Sequence, residues 1–143
     1  MMLNRQLSFA FSLFLALPAF GQDKLICPET VRINHPLNVS VKLFNSDCSN
    51  PVHLKDIVVS YLGNQSGGIG LSGPTVSAIS GTIPPGICNF EIYEPGEHTL
   101  PSVLISNKIP SSLVNTLIVV AVAVKESNNK LRDPAVCQIT VTN

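Results

Sequence analysis

Four cysteines, Cys27, Cys48, Cys88 and Cys137, carry the most reactive chemistry in this sequence. Thiolates can attack, bind a metal or pair. No C-x-x-C couple is present, so a four-thiolate metal site lacks the usual ligand spacing. With an even count, two disulfides are the expected use. The next cluster is Glu91, Glu94, Glu97 and His98, where carboxylates and an imidazole could ligate a divalent cation. On a strand, however, Glu91 and Glu94 face opposite sides, and Pro95-Gly96 sets Glu97 and His98 on a turn. A solvated loop is the stronger reading, and these four remain only weak metal candidates.

Gly68-Ile69-Gly70-Leu71-Ser72-Gly73 satisfies G-x-G-x-x-G. Dinucleotide binding needs that motif between a strand and a helix, and here Pro74 leads into another strand candidate. The glycine-rich segment from Gly63 to Gly73 therefore reads as a flexible loop. His35 and His53 lie in turn regions, and no G-x-S-x-G nucleophile elbow accompanies them; Gly63-Asn64-Gln65-Ser66-Gly67 misses it by one position. No catalytic residue, metal or cofactor is assigned, and the chain reads as a non-enzyme.

Compartment decides the cysteine question. Arg5, the apolar run Leu7 to Leu17 and Pro18-Ala19-Phe20-Gly21 form a charged region, a hydrophobic region and a small-residue cleavage site before Gln22. Residues 1–21 thus read as a cleaved secretory signal peptide and 22–143 as one domain. The apolar run, about eleven residues, is well short of the roughly twenty a membrane-spanning helix needs. No transmembrane anchor is expected after cleavage. Export to an oxidising compartment favours disulfides, in a secreted, periplasmic or cell-surface protein. Lys plus Arg equal Asp plus Glu at nine each, and charged residues are 13% of the chain, so no nucleic-acid partner is indicated. Asn38 and Asn64 fit the N-glycosylation sequon.

The elements that position these residues are strands. Leu37, Val39, Val41 and Leu43 alternate with polar residues, and Thr30 to Asn34, Leu54 to Leu62, Pro74 to Ser80, Ile87 to Tyr93 and Leu100 to Ser106 are further candidates. Asn45 to Pro51, Gly81 to Gly86 and Glu94 to Thr99 read as turns. The run Leu113 to Val124, rich in valine, reads as the buried central strand. If Asn128-Asn129 close a tight turn, Val120 faces Cys137 and Ile118 faces Ile139. Ile118, Val120, Val122 and Val124 then share a core face with Ala135, Cys137, Ile139 and Val141. About seven or eight short strands with frequent turns imply an all-β, two-sheet antiparallel sandwich, immunoglobulin-like in the broad sense.

The stretch Pro36-Leu37-Asn38-Val39-Ser40-Val41-Lys42-Leu43-Phe44-Asn45, with the closing Cys137-Gln138-Ile139-Thr140-Val141-Thr142, resembles the exported immunoglobulin-like domains of bacterial surface and periplasmic proteins. The resemblance implies an adhesion, assembly or binding role. The buried Trp and the Tyr corner of antibody-type domains are missing.

Of three possible disulfide pairings, Cys27 with Cys48 and Cys88 with Cys137 is favoured. It rests on Thr30 to Asn34 forming a hairpin with Leu37 to Phe44. The central strand also has a second apolar face, Leu117, Val119, Ala121 and Ala123. Either the segment Leu100 to Ser106 covers it, or it is an interface for another extracellular or surface protein, including a second copy. The functional expectation is a secreted or periplasmic binding or assembly module. A small-ligand or metal carrier using the 91–98 turn and the 63–73 loop is the alternative, and a small secreted enzyme comes third.

Overall fold

The computed structural model describes residues 22–65 and 68–143, so the leader assigned to residues 1–21 lies outside the described residues. The strands, in order, are β1 (Lys24–Ile26), β2 (Thr30–Arg32), β3 (Leu37–Asn45), β4 (Val52–Gln65), β5 (Gly68–Ile83), β6 (Ile87–Cys88), β7 (Tyr93–Glu94), β8 (Gly96–Thr99), β9 (Val103–Ser106), β10 (Leu117–Glu126) and β11 (Ala135–Thr142). One sheet centres on β3, with β1 on one edge and β8 then β9 along the other. The second runs β2-β11-β10-β4-β5. The result is the all-β sandwich that the alternating pattern implies, with β3 and β10 central in their sheets.

The core lies between the sheets. β3 contributes Leu37, Val39, Val41 and Leu43; β10 contributes Ile118, Val120, Val122 and Val124; β11 adds Ile139 and Val141. The β10–β11 register matches expectation, Val120 opposite Cys137 and Ile118 opposite Ile139. Asn129 takes a positive φ of 69°, as expected of a turn asparagine. The connection is wider than a two-residue turn, because Lys125 bridges Leu131 one position out of step. The ladder regains its register by Ala135.

Several expectations fail for identifiable reasons. Gly63 to Gly73 is not a loop: β4 runs to Gln65, β5 begins at Gly68, and the two pair over most of their length. Ladder bonds to a long neighbouring strand outweigh the entropic cost of glycine. Asn64, expected in a loop, is an exposed strand residue. Ile87 to Tyr93 is not one strand but a small hairpin, β6 with β7, and Glu94 to Thr99 contains β8 rather than turn alone.

β2 does not pair with β3; it pairs in parallel with β11, while β1 pairs with β3. The chain crosses from one sheet to the other between β1 and β2, which sets Cys27 beside β11. The disulfides are accordingly Cys27–Cys137 and Cys48–Cys88, with Cα separations of 6.5 and 5.8 Å. The favoured pairing is therefore wrong, because the hairpin it rested on does not form.

At the far end the sheets close through His98 of β8, whose imidazole lies against Gly81 of β5; a Cβ on Gly81 would sit 2.9 Å from His98 Nε2. Gly96 is buried against the Pro84 carbonyl, too close for any Cβ. That contact seats the start of β8 on the Pro84-Pro85 corner.

Candidate functional site

Two exposed apolar features stand out, one anticipated and one not. The first is the outer face of the five-stranded sheet. Side chains at opposed positions of adjacent strands point to the same side, so register defines the surface. Gln138, Val119, Leu62 and Ser72 form one row; Val136, Ala121, Ser60 and Pro74 the next; Ala123, Val58 and Val76 a third. Leu117 is 50% exposed and Val119 39%, while Ala121 and Ala123 are half-buried between neighbours. Leu100 to Ser106 does not cover them. Leu100 N–H donates to the Val41 carbonyl and β9 pairs with β3, because Leu100, Val103 and Ile105 bury their side chains in the core from the opposite sheet.

The face is also uncharged, for a reason visible in the sequence. No Lys, Arg, Asp or Glu occurs between Asp56 and Glu91, between Lys108 and Lys125, or after Asp133. These three stretches supply β5, β4 from Ile57 onward, β10 up to Val124, and the whole of β11. Charge is confined to the ends of the sheet, Lys125 opposite Asp56 at one and the exposed Arg32 of β2, beside Thr142, at the other.

The second feature is the β6–β7 hairpin, which periodicity alone missed. Ile87, Phe90, Ile92 and Tyr93 are all exposed, and Phe90 is wholly so, at 104%. A free aromatic tip normally collapses, but this one is braced. The Asn89 side-chain oxygen accepts the N–H groups of Glu91 and Ile92 at 2.9 and 2.8 Å, and Asn89 N–H donates to the Ile92 carbonyl. Cys88 is bonded to Cys48, and the Tyr93 hydroxyl donates to the Ser46 carbonyl at 3.5 Å.

The loop holding Cys48 is itself fixed. Buried Asn45 donates from Nδ2 to the carbonyls of Asn50 and Pro84 at 2.9 and 3.2 Å and accepts from Asp47 N–H at 3.0 Å. Gly86 N–H donates to the Asp47 carbonyl. The Asp47 carboxylate accepts from Ser49 and then Asn50, which holds its pKa below the ordinary aspartate value. A depressed carboxylate contributes above its unfolded pKa and stops contributing as pH falls through the folded one. Hydrogen-exchange protection at Ser49 and Asn50 is therefore expected to persist down through the ordinary aspartate range near pH ~4 and to disappear only as pH falls below it. Core amides of β3 and β10 should be unaffected.

A third cluster is structural. Arg132 Nε and Nη2 clasp Asp23 at 2.7 and 2.8 Å, Nη1 meets Glu126 at 3.0 Å, and Nη2 also donates to the Phe44 carbonyl at 2.6 Å. The Asp23 bond raises the Arg132 pKa further, so the guanidinium stays charged at any working pH. A polar cavity of about 510 Å³ borders this network, and among the described residues no buried side-chain polar atom lacks a partner.

The weak metal candidates Glu91, Glu94, Glu97 and His98 do not come together. Glu97 pairs with Lys42 at 2.8 Å, His98 turns toward Gly81, and Glu91 and Glu94 are exposed on the hairpin. Among the described residues no group of three His, Cys, Asp or Glu side chains is placed to hold a metal ion. The 91–98 segment and the 63–73 segment lie toward opposite ends of the β4–β5 hairpin, at least ~25 Å apart along β5 from Gly73 to Gly81, at about 3.3 Å per residue. They cannot share one ligand. His35 contacts the Ile33 carbonyl and His53 the Thr82 hydroxyl across the ladder. Among the described residues no helix is long and apolar enough to cross a membrane.

No family model matches the sequence, and no curated protein matches it at a significant level. Similar solved structures include superoxide reductase (neelaredoxin) from Ignicoccus hospitalis, at 18% identity and a TM-score of 0.44, covering 84% of this chain and 80% of that one. The CARDB domain of a Pyrococcus furiosus protein, solved with di-metal ions, is similar at 11% identity and a TM-score of 0.43, covering 85% and 91%. The sporulation control protein Spo0M from Bacillus subtilis is similar at 11% identity and 0.47, covering 85% of this chain and 49% of that one. Likeness at this level assigns no activity.

Proposed function

We propose that this chain is a non-enzymatic assembly module that works outside the cytoplasm and associates with a second copy of itself through the outer face of its five-stranded sheet. The observation that carries the reading is the largely apolar surface spanning β11, β10, β4 and β5, charged only at its end and left open by the rest of the described residues. An antiparallel sheet normally turns polar residues to water on that side. Two disulfides and the leader-like first 21 residues support the location. The face measures roughly 20 by 25 Å, so two copies packed sheet on sheet would bury about 1,000 Å², the lower limit for a specific interface. Weak, reversible pairing follows.

Ser60 lies near the middle of the face and is exposed. A Ser60→Cys variant treated with a short bis-maleimide should give covalent dimers whose yield rises with concentration. Adding Val119→Glu should cut that yield at least tenfold while the thermal midpoint stays within a few degrees, because Val119 is already partly in water. Equal yield in both proteins, or unfolding caused by Val119→Glu, would overturn the assignment.

A further inference from the structure

On the side of the sandwich where β5 and β9 are both edge strands, the two sheets do not close completely. Pro101 interrupts the strand between β8 and β9, since proline cannot donate to the ladder. The gap is an apolar cleft of about 310 Å³. Core residues Ile57, Leu100 and Val103 form its floor, with Ser77 and Ile79 on the β5 wall and Ser102 on the other. No charged residue lines it.

The same molecule carries a braced apolar tip with nothing to fill. Phe90 cannot reach its own cleft, because the hairpin springs from the Ile83 end of β5 while the cleft centres on Ser77, ~20 Å along the strand. We infer that Phe90 of one copy inserts into the β5–β9 cleft of the next, a head-to-tail contact separate from the sheet face. The cleft volume suits one aromatic side chain. Ile92 would pack on its rim beside the wholly exposed Phe90, while Ile87 and Tyr93 lie on opposite faces of the hairpin and flank the contact. The contact is smaller than a standard interface, so it is weak and growth is expected only at high protein concentration. Glu91 and Glu94 stay at the margin, in water.

A tip and a socket at different places on one molecule make a heterologous contact, which propagates unless the rotation closes a ring. A sheet face pairs two copies and stops. Tip-to-cleft contacts add copies in a row.

The test uses the oxidised protein carrying Val119→Glu, which silences the face, so this inference fails or stands independently of face pairing. Sedimentation velocity over a concentration series should show species growing beyond a dimer. Phe90→Ser should abolish that growth, and so should Ser77→Phe, which fills the cleft. If Ser77→Phe does not fold, Ser102→Trp fills it from the opposite wall. Mixing the tip-less and cleft-filled proteins should restore a one-to-one dimer and nothing longer, since one intact tip and one intact cleft remain. A Val119→Glu protein that stays monomeric, growth that survives Phe90→Ser, or a mixture that stays monomeric would each overturn the inference.

Discussion

Replacing Cys27 and Cys137 together with alanine is expected to lower the unfolding free energy by about 5 kcal/mol. The bond closes a separation of 110 residues and joins the β1–β2 crossing to β11, so it ties the start of the described chain to its end across both sheets. In the loop-entropy account, stabilisation grows with the logarithm of the loop, which gives about 4.8 kcal/mol here and about 3.9 for the 40-residue separation of Cys48–Cys88. A domain whose net stability is of the order of 5–15 kcal/mol would be brought near its limit. Urea unfolding should show the loss as a lower midpoint. The second bridge should behave differently. It braces an exposed hairpin, so alanine at Cys48 and Cys88 should free the Phe90 tip and weaken head-to-tail growth along with its cost in stability. A loss below about 2 kcal/mol for the Cys27 and Cys137 pair would mean that strand pairing, not the bridge, holds β1 and β2 in place.

The second large effect is expected at Arg132. Its side chain is 13% exposed, and its partners Asp23 and Glu126 are 10% and 15% exposed. Arg132→Met keeps most of the apolar stem but leaves two nearly buried carboxylates without their counter-charge, Asp23 keeping only the Phe44 N–H, and takes the donor from the Phe44 carbonyl. Removing one partner from a buried ion pair typically costs 3–5 kcal/mol, chiefly from the charge left behind, and a loss of about 3 kcal/mol is expected. Asp23→Asn in the same background should recover part of it by removing one stranded charge. Failure of the double variant to recover any stability would show that packing of the arginine stem, not charge, carries the effect.

The fold was readable wherever a strand has one dry face. Leu37 to Leu43 and Ile118 to Val124 alternate cleanly, and Asn128-Asn129 set the closing register even though the turn is wider than two residues. Partner choice was not readable. Thr30 to Arg32 has the same local pattern whether it lies beside β3 or β11, and only the crossing at Cys27 decides it; the disulfide assignment failed with that choice. β5 was hidden because its glycines look like a loop, while the bonds that hold it straight come from β4. Of the candidate site, the second face of β10 showed in Leu117, Val119, Ala121 and Ala123. Its extent did not, although the three uncharged stretches were there to be seen. The Phe90 tip looked like an ordinary strand, since the side-chain turn at Asn89 and the Cys48 bridge that present it depend on tertiary neighbours.

The most direct measurement is methyl NMR of the oxidised protein, residues 22–143, on serial dilution. Face-mediated assembly requires the methyl resonances of Leu62, Leu117, Val119 and Val136 to move with concentration, while those of Val120, Ile139 and Val41 in the core stay fixed. Resonances of the face that hold constant over the whole range, with or without movement elsewhere, would contradict the account.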